Sequence, residues 1–378
     1  MKAVFEKARA WIELDEKALR NNIEILRKLL PEGGRLMPAV KANAYGHGNA
    51  FITRVMQDAG ITDFCVACVD EAVEMRENGI KGDILILGYT NPAQFDLLYK
   101  YNLIQTAVDF SYAEEMSKYG KPLRVHIGID TGMHRLGEPA ENIDRLREMF
   151  FMENLHTEAA LTHLCASDSD APSDIEFTNM QIDKFYHTID TLRKEGCEIP
   201  KLHLQASYGL LNYSELAADF ARVGIAVYGM KTARNDYDKF NTDAELRPVL
   251  SLKARVSSVR EIKAGESVGY GLAFTAERDM KIAALSIGYA DGLPRALSGG
   301  VGKVLINGER APIIGRVCMD QTIVDISGAA EVCAGDTAVI IGKSGNDEIS
   351  AYEIAEDAGT ITNEILSRLG TRLTRVML

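Results

Sequence analysis

The feature that most limits the fold is an alternation of short apolar runs with amphipathic stretches over about the first 230 residues. Over residues 15–30, for example, Leu19, Ile23 and Leu26 fall on one helical face. Near-continuous apolar runs such as 84–87 are typical of a parallel sheet covered by helices. The runs predicted to be strands are 35–41, 63–67, 83–87, 104–108, 123–129, 157–163, 202–206 and 221–224. Eight such units predict an α/β fold of the TIM-type (β/α)8 barrel class.

The pattern changes after about residue 240. Residues 231–246 are polar and lack apolar periodicity, so we predict that they connect two domains. Later segments alternate as strands do, and Asn307-Gly308 between two apolar runs predicts a hairpin, because both residues accept positive φ. We therefore predict a barrel over residues 14–240 and a mostly-β C-terminal domain over residues 241–378.

Composition excludes several classes of function. A net charge of −12 opposes a nucleic-acid partner, because a phosphate backbone would be repelled over most of the surface. No apolar run reaches the roughly 18–20 residues of a membrane span, and the start lacks a secretory pattern. Six dispersed cysteines fit a reducing cytosol. We expect no metal or disulfide at Cys65 and Cys68, since an extended chain would point their thiols to opposite faces.

Lys41 is the first residue to suggest a chemistry. It ends a predicted barrel strand, and a glycine-rich turn that contains Tyr45 follows at once. Burial at a strand end lowers the pKa of an ammonium group. A neutral amine can form a Schiff base, which is the chemistry that pyridoxal phosphate requires. Taken alone, the pattern also fits a lysine that reaches into solvent.

Further polar groups fall at the same edge of the predicted barrel. His163 ends the sixth strand, Ser207 follows the seventh, and Gly224 and Ile225 follow the eighth. Active sites of eight-fold barrels lie at the C-terminal ends of the strands, with phosphate groups bound after the last two. Backbone N–H groups there suit a phosphate dianion. A helix N-cap is the alternative role for Ser207.

The joint order of several short motifs is far more specific than any one of them. They occupy residues 9–15, 38–48, 130–137, 222–229, 268–271, 288–292 and 315–321. On these motifs the chain resembles the alanine racemase family of fold-type III pyridoxal-phosphate enzymes, nearly from end to end. The resemblance implies an amino-acid racemase. It also implies that the N-terminal strand, within residues 1–13, belongs to the β-rich domain.

The resemblance assigns roles to the residues of the barrel mouth. Lys41 would bind pyridoxal 5'-phosphate covalently, and Tyr45, Ser207 and the amides of Gly224 and Ile225 would hold its phosphate.

Arg222 would face the pyridine nitrogen, where many pyridoxal enzymes have a carboxylate. A guanidinium group does not readily give up a proton. The ring nitrogen would therefore stay unprotonated, which limits carbanion delocalisation and suppresses transamination. His163 and His203 would orient Arg222.

Racemisation needs a base and an acid on opposite faces of one carbon. By the resemblance, Lys41 serves one face and Tyr270 of the partner subunit serves the other, so activity requires a head-to-tail homodimer. A phenol with a pKa of about 10 needs cationic surroundings to act as a base. Taken alone, Tyr270 also fits a turn aromatic between glycines.

Four residues are expected to meet the substrate. Arg135 would contact the cofactor phenolate oxygen and the substrate carboxylate. Met319 and Asp320 would offer a backbone amide to that carboxylate, and Tyr289 would line the entrance.

Gly128 departs from the family pattern. Many members have a lysine here, often carbamylated, that bridges to Arg135. Without it, Arg135 must be held by an ion, by water or by His134.

Asn363 is the second departure, because the family usually has a tyrosine at this position. A short amide opens volume and offers a donor and an acceptor, which a serine hydroxymethyl group needs. We therefore expect activity on serine as well as alanine. This resembles the serine/alanine racemases of vancomycin-resistance systems, which make D-serine for cell-wall precursors.

In those proteins the racemase is the cytoplasmic part of a larger membrane protein. The expected location is thus the cytoplasm, as a free chain or as such a domain. The alternative functions are a strict alanine racemase, in which Asn363 merely replaces a phosphate contact and helps to bind the cofactor, and a non-catalytic barrel that binds pyridoxal phosphate.

Overall fold

The computed structural model describes residues 7–232 and 245–378. Its helices are α1 Glu16–Lys28, α2 Asn49–Asp58, α3 Val69–Glu77, α4 Phe95–Lys100, α5 Phe110–Lys118, α6 Ile143–Phe151, α7 Pro172–Lys194, α8 Ser207–Asn212, α9 Ala351–Ala358 and α10 Thr362–Ser367. Most of the predicted connector and the domain boundary predicted after residue 240 lie outside the described residues.

The strands of the first part are β1 Ala10–Leu14, β2 Arg35–Leu36, β3 Asp63–Val66, β4 Asp83–Ile86, β5 Ile104–Ala107, β6 Leu123–Asp130, β7 Glu138–Pro139, β8 Leu155–Leu161, β9 Leu202–His203 and β10 Phe220–Ala221. Those of the second part are β11 Leu250–Ile262, β12 Ser267–Val268, β13 Phe274–Thr275, β14 Met280–Leu285, β15 Lys303–Ile306, β16 Glu309–Pro312, β17 Thr322–Asp325, β18 Thr337–Ser344, β19 Asp347–Ile349 and β20 Thr374–Met377.

The first part is a closed barrel of parallel strands. Strands β3, β4, β5, β6, β8 and β9 lie side by side in that order, and β10 pairs with β2. A bridge between Ala39 and Cys65 joins β2 to β3. The ring closes where the Asp219 N–H donates to the Leu202 carbonyl at 2.8 Å, which joins β10 to β9. The predicted (β/α)8 barrel is therefore confirmed.

Apolar residues seal the interior of the barrel beneath its mouth. This cluster consists of Met37, Ala39, Cys65, Leu85, Ile104, Leu161 and Phe220. Outside the ring, helices cover the strands with the faces that their spacing predicts; α1 buries Leu19, Ile23 and Leu26 completely. Because the floor is dry and packed, a ligand can enter only from the C-terminal ends of the strands.

The second part is built on an antiparallel sheet with strand order β16-β15-β18-β11-β1-β20, and β14 and β17 extend it from β11. Strand β1 runs antiparallel to β11 and parallel to β20. The predicted hairpin is present: β15 and β16 pair around Asn307 (φ 52°) and Gly308 (φ 86°).

Gly46 marks the contact between the barrel and α10. Its φ is 76°, and a Cβ atom at this position would lie 2.0 Å from the carbonyl oxygen of Leu366 on α10. Gly79 has a similar φ of 86° but open space around it. Substituting Gly79 therefore tests backbone strain alone, whereas substituting Gly46 tests backbone strain together with a steric clash.

We expect Gly79→Ala to cost about 1–2 kcal/mol of unfolding free energy, the price of a left-handed residue. Gly46→Ala should cost about 1–3 kcal/mol more, because a backbone atom cannot move aside cheaply. Urea unfolding of both variants measures the difference. Equal losses would contradict the tight contact between Gly46 and α10.

Candidate active site

A cavity of about 480 Å³ opens at the C-terminal ends of the barrel strands. This size suits a small ligand. The sequence-predicted residues that line it are Lys41, Tyr45, Arg135, His163, Ser207, Arg222, Gly224, Ile225 and Asn363. Asn363 comes from α10 in the second part of the chain, so the barrel alone does not complete the cavity.

Lys41 is followed by a left-handed turn. Ala42, Asn43, Ala44 and Tyr45 all have φ between 50° and 55°. Such a conformation costs about 1–2 kcal/mol per residue without glycine. Strain of this kind persists only where the surroundings enforce it, and it concentrates at functional sites. Here it brings Lys41 and Tyr45 into one cavity.

Side chains from three directions hold this turn. Glu71 accepts hydrogen bonds from the N–H groups of Ala42 (2.6 Å) and Ala67 (2.8 Å). His47 Nδ1 lies 3.0 Å from the Ala44 carbonyl. Arg375 on β20 donates to the Gly46 carbonyl at 2.8 and 2.9 Å. The second part of the chain therefore contributes directly to the position of Lys41.

The residues after β9 and β10 form one corner of the cavity. Ser207 Oγ accepts from the N–H groups of Gly224 (2.9 Å) and Ala226 (3.2 Å). A Cβ atom at Gly224 would lie 2.6 Å from the hydroxyl oxygen of Tyr45, so only glycine fits. Burial raises the pKa of Tyr45, which keeps its phenol protonated as a donor. Ser207 does not cap α8, whose N-cap residue is Ala206.

Arg222 is a buried cation held by uncharged acceptors. Its Nη1 donates to His203 Nδ1 (2.8 Å) and to the His203 carbonyl (3.0 Å). Its Nη2 donates to the Thr162 carbonyl at 2.7 Å and lies 3.3 Å from His163 Nδ1. Burial lowers its pKa to about 10, so it stays charged at neutral pH. The Nε–H has no acceptor within residues 7–232 or 245–378 and remains a donor for a ligand.

Donation from Arg222 fixes the protonation of the histidines around it. Because His203 Nδ1 accepts from Arg222, its proton lies on Nε2, 3.1 Å from His126 Nδ1. Burial lowers the pKa of His163 and His126 to about 3 and that of His203 well below its usual value. The imidazoles are therefore neutral and form a chain of one polarity.

Arg135 lies at the cavity mouth, and no described residue hydrogen-bonds or pairs with its guanidinium group. His134 does not hold it; His134 Nδ1 lies 3.0 Å from Asp130 Oδ2 instead. A Cβ atom at Gly128 would lie 3.2 Å from the Ala107 carbonyl oxygen, so the barrel has closed around the glycine. Of the three groups predicted to hold Arg135 (an ion, water or His134), the prediction of His134 is therefore wrong.

Asn363 lines the cavity and contains an unsatisfied polar atom. Its Oδ1 is buried and has no hydrogen-bond partner within the described part of the chain. Buried polar atoms without a partner are rare and call for an explanation, such as a ligand.

The structure does not bring the remaining predicted residues into the cavity of the same chain. Tyr270 is 72% exposed, Met319 52% and Tyr289 42%. Asp320 accepts a hydrogen bond from Arg372 at 2.6 Å. These residues lie on the second part of the chain, outside the lining of this cavity.

Sequence reasoning missed three contributors: the buried His126 and Gln181 and the half-buried Glu71. His126 was detectable, because alternation along β6 sends it to the barrel interior with Gly128. Glu71 and Gln181 lie on helices and carry no local signal of their contacts with the cavity loops.

Within residues 7–232 and 245–378, no helix combines the length and apolar character of a membrane span.

Comparisons with known proteins agree with this geometry. The family model of the alanine racemase N-terminal domain matches residues 14–232, and that of the C-terminal domain matches residues 249–377. An amino-acid racemase from Enterococcus faecalis is 44% identical over 97% of this chain and 51% of its own length. The chain thus spans about half of that relative.

Full-length matches also occur. An alanine racemase from Halothermothrix orenii is 37% identical and covers 97% of this chain and 96% of its own. The crystal structure of alanine racemase from Bacillus anthracis with bound L-Ala-P has a TM-score of 0.91 at 29% identity, over 98% of this chain and 95% of that one.

These matches define a class of barrel proteins that use pyridoxal phosphate. Within that class, the chain belongs to the alanine racemase family. The cavity fits the cofactor: Lys41 suits its aldehyde, the glycine cradle at Gly224 suits its phosphate, and the uncommitted Arg222 Nε–H suits its ring nitrogen.

The neutral histidines predict that acid destabilises the protein. In the unfolded chain each imidazole titrates near pH 6.5, whereas burial lowers the pKa of His47 to about 4 in the folded chain. Below pH 6.5 the unfolded chain therefore binds more protons than the folded chain, and the unfolding free energy decreases as the pH is lowered. We expect a loss of about 1–2 kcal/mol per buried histidine between pH 7 and pH 5.

Urea unfolding of the protein without cofactor at pH 7, 6 and 5 measures this slope. His126→Gln keeps an acceptor for His203 and removes one titrating group. In this variant, the slope of the unfolding free energy against pH should correspond to one fewer proton taken up on unfolding. An unchanged slope in this variant would contradict the assignment.

Proposed function

We propose that the protein racemises serine and alanine with pyridoxal phosphate, using one base from each of two subunits. The family and the cationic cavity, to which Lys41, Arg135 and Arg222 contribute, support an anionic cofactor and an amino-acid substrate. The single observation that carries the serine assignment is the unpartnered carboxamide oxygen of Asn363. The proposed product is a D-amino acid for cell-wall precursors, and D-serine would serve vancomycin resistance.

Bound pyridoxal phosphate withdraws electrons from the substrate Cα and so acidifies its hydrogen. Lys41 Nζ would remove or return that proton on one face. Tyr270 of the partner subunit would do so on the other. Arg222 Nε–H would hold the ring nitrogen without giving up its proton, and Arg135 would hold the substrate carboxylate.

The surface around Tyr270 supports a role for a second copy of the chain. Gly271, beside Tyr270, packs against Arg316: a Cβ atom there would lie 3.0 Å from its guanidinium group. Cys318 lies two residues after Arg316, and its carbonyl accepts from the Tyr289 N–H at 3.0 Å. The predicted substrate residues of the second part therefore share one exposed face. In a head-to-tail dimer this face would cover the partner's cavity.

Subunit mixing tests the two-base arrangement. Lys41→Ala and Tyr270→Phe should each reduce racemisation strongly. In a mixed dimer, one cavity contains an intact lysine and an intact tyrosine from different chains. Co-expression should then restore about one quarter of wild-type activity in the unseparated pool, because about half of the dimers are mixed and each has one intact cavity of two. Mixed dimers isolated through two affinity tags should have about one half of wild-type activity.

Tyr99→Phe, an exposed tyrosine outside the barrel mouth, is the matched control and should retain full activity. Mixed dimers without activity would mean that Tyr270 does not act across subunits. Unchanged activity of Tyr270→Phe alone would remove it from the reaction and favour a different second base.

The argument for serine rests on hydrogen bonding rather than on shape. A carboxamide can accept from and donate to a hydroxyl group, whereas an apolar wall would leave the serine hydroxyl unpaired. A site that pairs a substrate hydroxyl discriminates far better than one that only leaves room for it. In a strict alanine racemase, Asn363 would instead contact only the cofactor phosphate.

Asn363→Tyr should lower kcat/KM for serine at least about tenfold more than for alanine, the worth of one hydrogen bond plus lost volume. Chiral product analysis of the holoenzyme with L-serine and L-alanine measures both. Ser367→Tyr adds the same side chain to an exposed position of α10 and should leave kcat/KM for both serine and alanine unchanged. Equal losses on both substrates would favour the strict alanine racemase, and no turnover of either would favour a non-catalytic barrel.

A further inference from the structure

Gln181 is a fully buried amide on a helix that covers the outside of the barrel. It lies near the middle of α7, and its exposed fraction is 0%. Its carboxamide reaches two loops of the cavity mouth. One follows β6 and carries Arg135; the other follows β8 and carries His163.

The orientation of this amide follows from two unambiguous partners. Gln181 Nε2 donates to the His163 carbonyl at 3.1 Å, and a carbonyl can only accept. Gln181 Oε1 accepts from the Cys165 N–H at 3.1 Å, which can only donate. The second proton of Nε2 goes to Thr131 Oγ1 at 3.1 Å. The side chain thus ties the start of the Arg135 loop to the loop after β8.

The hydrogen bonds of Gln181 extend through Thr131 and Thr162 to Arg222. Thr131 Oγ1 also shares a hydrogen bond of 2.8 Å with Thr162 Oγ1, in which either hydroxyl group can donate. The carbonyl of Thr162 in turn accepts from Arg222 Nη2 at 2.7 Å. Gln181 therefore connects the two loops to the guanidinium group in the centre of the barrel through a series of hydrogen bonds.

Arg135 depends on its loop for its position, since no described side chain pairs with its guanidinium group. Asp130 stiffens that loop by accepting from the N–H groups of Gly132 (2.9 Å) and His134 (3.1 Å). Only Thr131, through Gln181 and Thr162, links this stretch to the rest of the cavity wall by side-chain hydrogen bonds among the residues just described.

We propose that Gln181 is a positioning residue for Arg135: it sets the place of the carboxylate-binding guanidinium group from outside the barrel. The inference rests on the proposed function, because it takes Arg135 as the substrate-carboxylate contact. Gln181 touches no reacting atom.

The test uses propionate, which has the carboxylate of the substrate and no amine, and calorimetric titration of the holoenzyme. Gln181→Met should weaken propionate binding about tenfold, as expected for a charged group displaced by a fraction of an ångström. Gln181→Glu, which keeps the acceptor for Cys165 and removes the donor to Thr131, should show a similar loss. The KM for alanine and serine should rise in parallel, with a smaller change in kcat.

Two further variants separate positioning from simple packing. Thr188→Val removes a buried hydroxyl group from the same helix, two turns away, and should lower the unfolding midpoint without changing the propionate Kd. In the Arg135→Lys background, Gln181→Met should cause no further loss of propionate affinity, because the two residues act as one unit.

An unchanged propionate Kd in both Gln181 variants, or losses that add fully to that of Arg135→Lys, would overturn the inference. A wild-type holoenzyme that racemises neither amino acid would overturn the proposed function instead. A wild type that racemises while the Gln181 variants bind propionate normally would overturn only the role of Gln181.

Discussion

The structure depends on one buried positive charge. Arg222 lies in the centre of the barrel with carbonyl groups and neutral imidazoles around it, and its hydrogen-bond partners within residues 7–232 and 245–378 include no carboxylate. Removing an ion from water is costly, and uncharged acceptors compensate only in part. The remaining cost is lowest when an electron-rich group sits against the free Nε–H. The cavity is therefore built to be stabilised by its ligand. Burial keeps the surrounding histidines neutral, and the charge of Arg222 adds to that effect.

Most of the fold could be predicted from the sequence because the barrel repeats one strand–helix unit. Apolar runs alternate with amphipathic helices, and closure places the ends of all the strands at one mouth, so Lys41, Ser207 and Arg222 meet although nearly two hundred residues separate the first from the last. The tight hairpin at Asn307 was equally local. Neither needed knowledge of distant side chains.

Other parts of the site were not predictable for the opposite reason. Glu71 and Gln181 act through hydrogen bonds to groups on other loops, and their own helices look like ordinary surface helices. The left-handed turn after Lys41 was also unexpected, since alanines rarely adopt it. His134 offered a plausible partner for Arg135, but its imidazole pairs with Asp130 instead.

Strand β1 has a consequence for how the chain folds as it is made. Ile12 pairs with Leu252 on one side and with Arg375 on the other, so this inner strand of the second sheet emerges from the ribosome long before either neighbour. Such distant pairing is slow, because a long loop must close before any contact rewards it. The barrel can assemble in the meantime, while both edges of this apolar strand remain unpaired. Until β11 and β20 have been synthesised, that strand is a natural target for a chaperone.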